Sequence, residues 1–451
     1  MLTQKNKIII VDNEESELYR LGKAFLNVGV GCKTILYDIT HETPFNHVRI
    51  AFFDINLTLA KEILSDQDIE EIKNNHTQVF NDLANAINQY IEVSNGPYAL
   101  IFWTKNQVLV NAFIEYVRER DIEIANPIFI GTLDKTQYND DNLDRLIADL
   151  SELLNSNEHI KFLFELEEAC RKAGEKTLNR IYEISPKDKV FGESTILFEN
   201  LDSIFSKIAV SALGFEHAKE NPKKALYEGL SPILNYEFLN HESLINWDIV
   251  ANKLLQANKH SDLTIEDVLV QPKINSLYHV ENSLEEFQNI TTTRGAVFLL
   301  DKGDKELLQS FGINNVDTCF NDLIPINDKA KRRALRNNAK LIAIEISAAC
   351  DYSNKKSRIN KYILGSIIDD FDTKQYLDKS RRSESSYHLG GCSFYLEENS
   401  IQIWLNLNYV FSAQPNDARL AEPIFILKKE IMDMLGNKYA GHISRIGITS
   451  I

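Results

Sequence analysis

Four side chains stand where apolar runs end in the first third of the chain. Asp12 follows Ile-Ile-Ile-Val, Asp54 follows Ala-Phe-Phe, Thr104 follows Ile-Phe-Trp, and Lys135 follows Gly-Thr-Leu-Asp. Two acids, a hydroxyl and an amine gathered at one edge suit phosphoryl transfer to a carboxylate, with Asp54 as the nucleophile. Such a step crowds negative charge around a carboxylate, so it needs a divalent cation. Mg²⁺ prefers hard oxygen ligands and keeps several waters. Asp12, Asn13, Asp54 and a main-chain carbonyl near Asn56 are the candidate ligands. Thr104 is placed to hydrogen-bond one phosphoryl oxygen and Lys135 to pair with another as a point charge. Taken singly, each residue is unremarkable, since an Asp at a strand end is ordinarily a turn former or a helix cap. Their joint order carries the inference.

The elements that must position these groups alternate in type. Lys7–Val11, Lys33–Tyr37, Val48–Phe53, Tyr98–Trp103 and Pro127–Ile130 read as short strands, and helical patterns separate them. Lys7–Val11 is β-branched and continuous, as expected of a strand buried on both faces. Glu14–Leu26 reads as a helix with Leu18, Leu21 and Phe25 on one stripe. Strand–helix alternation implies βαβ units and a parallel sheet with right-handed crossovers. In such sheets functional groups collect at the carboxyl ends of the strands. For Lys135 to join them, the fifth strand must continue through Thr132–Asp134. The crossover before the fourth strand is enlarged to roughly forty residues where about a dozen suffice, and Asp68–Ile91 within it reads as a long amphipathic helix.

The segments Ile-Ile-Ile-Val-Asp-Asn-Glu, Phe-Phe-Asp-Ile-Asn, Trp-Thr-Lys and Leu-Asp-Lys, in that order, resemble response-regulator receiver domains. The resemblance covers about the first third of the chain. It implies a flavodoxin-like α/β fold with Asp54 as the phosphorylation site. It further implies that Asp12 and its neighbour help to hold Mg²⁺, that Thr104 and Lys135 are the switch residues, and that a histidine kinase is the phosphodonor. One position departs from the pattern: the second acid after the first strand is Asn13 here, which brings no negative charge to the cation.

Three regions are expected: a receiver-like domain over residues 1–145, a helical middle over 146–290 and a β-rich C-terminal domain over 291–451. In the middle region Leu143–Leu154, Ile160–Tyr182, Leu197–Leu213 and Trp247–Ala257 read as helices, whose apolar stripes are assigned to the core. In the last region Arg294–Leu300, Leu341–Ser347, Cys392–Leu396 and Ile401–Val410 read as strands. A final helix over Ile424–Leu435 is predicted after Pro423, with Gly436 as its stop signal. Cys350 and Asp351, directly after a strand, form a second candidate site, with His388, Cys392 and His442 as possible companions. Their spacing matches no common zinc pattern. This layout is similar, more loosely, to receiver-containing components of bacterial anti-phage two-component systems of the Detocs type. That resemblance implies a cytoplasmic relay, buffer or regulator.

Composition narrows the alternatives. A formal net charge of −16 repels polyphosphate, which argues against nucleic acid as a partner. The basic run of Lys329, Lys331, Arg332, Arg333, Arg336 and Lys340 reads as a solvated helix face or linker, with a phosphate-bearing partner or an acidic protein surface as the sharper alternative. Five scattered cysteines without CxxC spacing fit a reducing cytoplasm rather than a disulfide framework. No apolar run is long enough to span a bilayer, so no membrane partner is expected. No Walker loop, HExxH or GxSxG is present. The chain therefore reads as a phosphoacceptor and interaction protein rather than an enzyme. The alternatives are a binding scaffold on a degenerate receiver and an enzyme with chemistry near Cys350 and Asp351.

Overall fold

The computed structural model describes residues 7–57, 77–282, 284, 293–323, 326, 328–347, 359–369, 384–414, 417, 419–420 and 422–444. The chain divides into two compact units, Met1–Thr177 with Glu237–Gln256, and Leu178–Tyr236 with Ala257–Ile451.

The first unit is built on five parallel strands. They are β1 (Ile8–Asp12), β2 (Lys33–Leu36), β3 (Ile50–Phe53), β4 (Ala99–Thr104) and β5 (Phe129–Asp134), in the order β2-β1-β3-β4-β5. Helices α1 (Glu15–Asn27), α2 (Thr77–Tyr90), α3 (Val108–Glu119) and α4 (Leu143–Asn155) connect or follow them. Every residue of β1 is buried because helices cover both faces. Ile9 and Val11 join the core with Phe80, Ile87 and Phe113, while Ile8 and Ile10 join Leu21, Phe25 and Leu146 on the other side. Fully burying each such side chain is worth about 1.5–3 kcal/mol, so the register that points alternate residues to opposite faces is strongly held. The edge strand β2 is largely exposed and carries Lys33 and Thr34, which blunts the edge against further pairing.

Strand β5 runs on to Asp134, as the placement of Lys135 requires. It does so through Gly131, where an added Cβ would fall within 3.0 Å of the Leu153, Phe129 and Ile101 side chains. Gly131→Ala is therefore expected to cost roughly 1–3 kcal/mol by overpacking, read as a lower urea midpoint for the parallel-sheet unit.

Helix α2 is the described part of the enlarged crossover, and residues 58–76 of that segment lie outside the described residues. The long helix α5 (Glu158–Ile184) is tied to the sheet through Glu167, which accepts from Lys7 and from Arg49, each at 2.7 Å. The single helix expected over Trp247–Ala257 is two short ones, α9 (Trp247–Val250) and α10 (Asn252–Gln256).

In the second unit the apolar stripes assigned to the core are only partly buried. Helices α6 (Thr195–Leu213), α7 (Phe215–Glu220) and α8 (Pro222–Leu239) meet through Ala209, Ala218 and Ala225. Gly229 lets a helix backbone approach within 2.8 Å of the Ile208 carbonyl, measured from where its Cβ would stand. Contact through small residues leaves Phe198 and Tyr227 outside, each 63% exposed.

The remainder of this unit follows α11 (Val270–His279). It is an eight-stranded antiparallel sheet of order β10-β12-β9-β8-β7-β13-β6, with β11 paired to β12 off this path. The strands are β6 (Val280–Glu281), β7 (Ala296–Leu300), β8 (Lys340–Glu345), β9 (Asn360–Asp369), β10 (Ser386–His388), β11 (Phe394–Leu396), β12 (Asn399–Ala413) and β13 (Pro423–Leu427). One face packs on α12 (Lys305–Ser310), α13 (Val316–Leu323) and α14 (Lys329–Asn338). The other packs on α15 (Lys429–Ile443). The expected helix over Ile424–Leu435 is corrected here. Pro423–Leu427 pairs antiparallel with β7 and β6, and the helix begins only at Lys429. Pro423 opens a strand, where its missing N–H costs least. Gly436 lies inside α15 rather than stopping it.

Candidate functional site

Parallel pairing lines up the carboxyl ends of the strands. Val11 is opposite Phe53, Phe53 is opposite Phe102, and Thr104 is opposite Asp134. The residues that follow at these ends are therefore brought to one edge of the sheet. β1 pairs with β2 on one side and β3 on the other, so the strands stay parallel while the order in which successive strands are added to the sheet reverses between β1 and β3. That switch point is where open α/β sheets form a crevice. Asp12, Asp54, Thr104 and Lys135 are all buried there, at 0%, 5%, 0% and 4% exposure.

The structure brings three of them into contact. Lys135 Nζ donates to Asp54 Oδ2 at 2.7 Å and lies 3.5 Å from Asp12 Oδ2. Asp12 Oδ1 accepts from the Glu14 amide at 2.8 Å, and Asp54 Oδ1 from the Asn56 amide at 3.3 Å. Thr104 stands at the end of the neighbouring strand, where its hydroxyl oxygen accepts from the Asn106 amide at 3.1 Å. Asn13 meets the main chain at Asn56 and Leu57. Its side-chain nitrogen donates to the carbonyls of Asn56 at 3.2 Å and Leu57 at 3.1 Å.

A third carboxylate belongs to the cluster. Glu17 is buried on α1 and accepts from Trp103 Nε1 at 3.1 Å and from Arg20 Nη1 at 3.0 Å. It ties the first helix to the residue before Thr104. Its sequence signal was an acid placed four residues before Leu21, on the stripe that faces the sheet.

Electrostatics follow from this crowding. Burial pushes the Asp12 carboxyl up to about 6, and Asp54 and Glu17 add to the rise against the opposing pull of Lys135 and the Glu14 amide. For Lys135, burial works against the charged form, but Asp54 and Asp12 outweigh it and its pKa is raised. The ammonium therefore stays charged. Three carboxylates, Asp12, Asp54 and Glu17, face two cations, Lys135 and Arg20. The surplus negative charge lies on hard oxygen atoms, the donor type a divalent cation of the Mg²⁺ type accepts, with Asp12 and Asp54 beside Lys135 and Glu17 taken up by Trp103 and Arg20.

Among the described residues the other candidates gather no comparable site. The Cys350–Asp351 segment lies outside the described residues. His388 stacks on Trp404 with ring centroids 4.8 Å apart, and His442 Nε2 pairs with Asn408 Oδ1 at 2.8 Å. Burial raises the Cys392 thiol above its ordinary pKa. Among the described residues, no group of three or more His, Cys, Asp or Glu side chains converges to hold a metal ion. The basic run from Lys329 to Arg336 lies on the helix α14, capped by Asp328, with Lys331 and Arg333 exposed, while Lys340 opens β8 and pairs with Glu397 at 2.6 Å. No helix among the described residues is long and apolar enough to cross a membrane.

A five-stranded parallel sheet in this order, with helices on both faces, is a flavodoxin-like fold. Comparison of the chain with protein-family models, with curated proteins and with solved structures finds no match in any of the three.

Proposed function

We propose that the parallel-sheet unit is a phosphoacceptor module in which Asp54 takes a phosphoryl group from a phosphohistidine of a histidine kinase. The observation that carries this reading is the Lys135 ammonium set on Asp54 and beside Asp12 at the switch point of the sheet. An Asp54 carboxylate oxygen attacks phosphorus, the P–N bond of the donor breaks, and the departing imidazole nitrogen takes up a proton. Lys135 is already placed to hold a phosphoryl oxygen once Asp54 is esterified. The Thr104 hydroxyl accepts from Asn106, so its own proton is available to a second phosphoryl oxygen. Asp12, Asp54 and the Asn56 carbonyl would hold Mg²⁺, which supplies neutralisation of the phosphoryl charge. Esterification of Asp54 replaces its pairing with Lys135, and the resulting movement of Lys135 and Thr104 biases the surrounding surface between two states. The chain then serves as a relay, buffer or regulator, with anti-phage defence as its setting.

The test is the intact mass of the full chain after incubation with acetyl phosphate and Mg²⁺. A single phosphoryl increment is expected in the wild type and none in Asp54→Asn. Folded wild-type chain that gains no phosphoryl group at saturating donor contradicts the reading.

A further inference from the structure

Asn13 stands where it meets the main chain that immediately follows Asp54. Its amide nitrogen reaches two carbonyls at once, Asn56 O at 3.2 Å and Leu57 O at 3.1 Å. Both polar groups of the Asn56 backbone are thereby engaged, since its N–H also donates to Asp54 Oδ1. A carboxylate at position 13 would set an oxygen against those two carbonyls, an arrangement that repels unless a cation sits among them. A primary amide offers two N–H donors and satisfies both acceptors by itself. The residue type therefore exchanges a tie that needs a cation for one that does not.

We propose that the Asn13 side chain is a latch rather than a ligand: it holds the Asn56 carbonyl against the loop after β1, and a divalent cation reaches that carbonyl only by displacing it. The proposal rests on the reading that Asp12, Asp54 and Asn56 hold a cation. Latch and cation compete for one oxygen, so the latch raises the cation concentration at which the site becomes competent. Asn13 here is a positioning residue. It regulates how readily the site beside Asp54 is completed, and it leaves Asp54 itself untouched.

Isothermal titration of the full-length chain with MgCl₂ tests this. Asn13→Ala removes the latch and adds no ligand, so it is expected to bind Mg²⁺ about fivefold more tightly than the wild type, the worth of the hydrogen bonds no longer broken. Asn13→Ser, too short to span both carbonyls, carries the same expectation should the alanine variant fail to fold. Asn13→Asp, which also adds charge, is expected to tighten binding by about tenfold or more. Weaker or unchanged binding in Asn13→Ala and Asn13→Ser overturns the latch while leaving the cation site standing. No binding in any variant, Asn13→Asp included, overturns the latch and the cation reading together. Phosphoryl uptake on Asp54 is scored separately by mass.

Discussion

Replacing Lys135 by methionine is expected to destabilise the parallel sheet by about 3 kcal/mol near pH 8 and by much less near pH 5. The ammonium is buried between Asp54 and Asp12, with side-chain exposures of 3%, 7% and 1%. Removing one member of a buried ion pair leaves the others charged and desolvated, which costs more than the pair ever contributed. Here two carboxylates would be stranded, with Glu17 behind them. Protonation offers relief. Asp12 is already pushed up to about 6 with Lys135 in place, so without it the group goes neutral in mildly acidic solution and most of the cost disappears. Hydrogen exchange of the β1, β3 and β4 amides in the full chain reads this directly. The loss corresponds to about 100-fold faster opening in alkaline solution. Equal effects at the two pH values would mean that Lys135 contributes packing alone.

Asp12→Asn is expected to act in the opposite direction. The folded chain holds the Asp12 proton up to about 6, against an ordinary value of 3.8, so it binds that proton more tightly than the unfolded chain does. Stability from this group is therefore complete below the ordinary value and is lost as pH rises through about 6. In neutral solution the ionised carboxyl costs the fold. The amide removes that cost and keeps an oxygen for the Glu14 amide. A gain of about 2 kcal/mol is expected near pH 8 and none near pH 4, measured as the shift in urea midpoint. The same substitution removes one negative charge from the proposed cation site, so added MgCl₂ should stabilise the wild type more than the variant. A variant less stable than wild type in neutral solution would show that the Asp12–Lys135 attraction outweighs burial.

The ends of β1, β3 and β4 were legible because each is an unbroken apolar run closed by a polar residue. In a two-sided parallel sheet that pattern has few other uses. Burial of β1 on both faces follows from Ile-Ile-Ile-Val alone. Glu17 was not legible as part of the site, because nothing in a helical stripe says that the neighbouring strand will bring Trp103 to it. Nor did the residue type at position 13 reveal its two carbonyl partners, which depend on how the chain turns after Asp54. In the C-terminal sheet β9 was missed. Its run is interrupted by Gly365, which weakens a strand signal, yet glycine is required there. A Cβ would stand 2.8 Å from the Trp404 carbonyl of the adjoining strand. Pro423 misled in the other direction, since proline opens strands as well as helices and local pattern alone does not separate the two. The short helices α12 and α13 have too few turns to show a period, and only their packing on the sheet reveals them.

The central claim is that Asp54 is the residue esterified. Borohydride reduction of the acetyl phosphate-treated full chain, followed by peptide mapping, tests it at the level of the side chain, because reduction converts an aspartyl phosphate to homoserine. The account predicts homoserine at position 54 in the wild type, and its absence when donor or Mg²⁺ is omitted. Phosphoryl uptake with aspartate intact at position 54, or homoserine at another position, would contradict it.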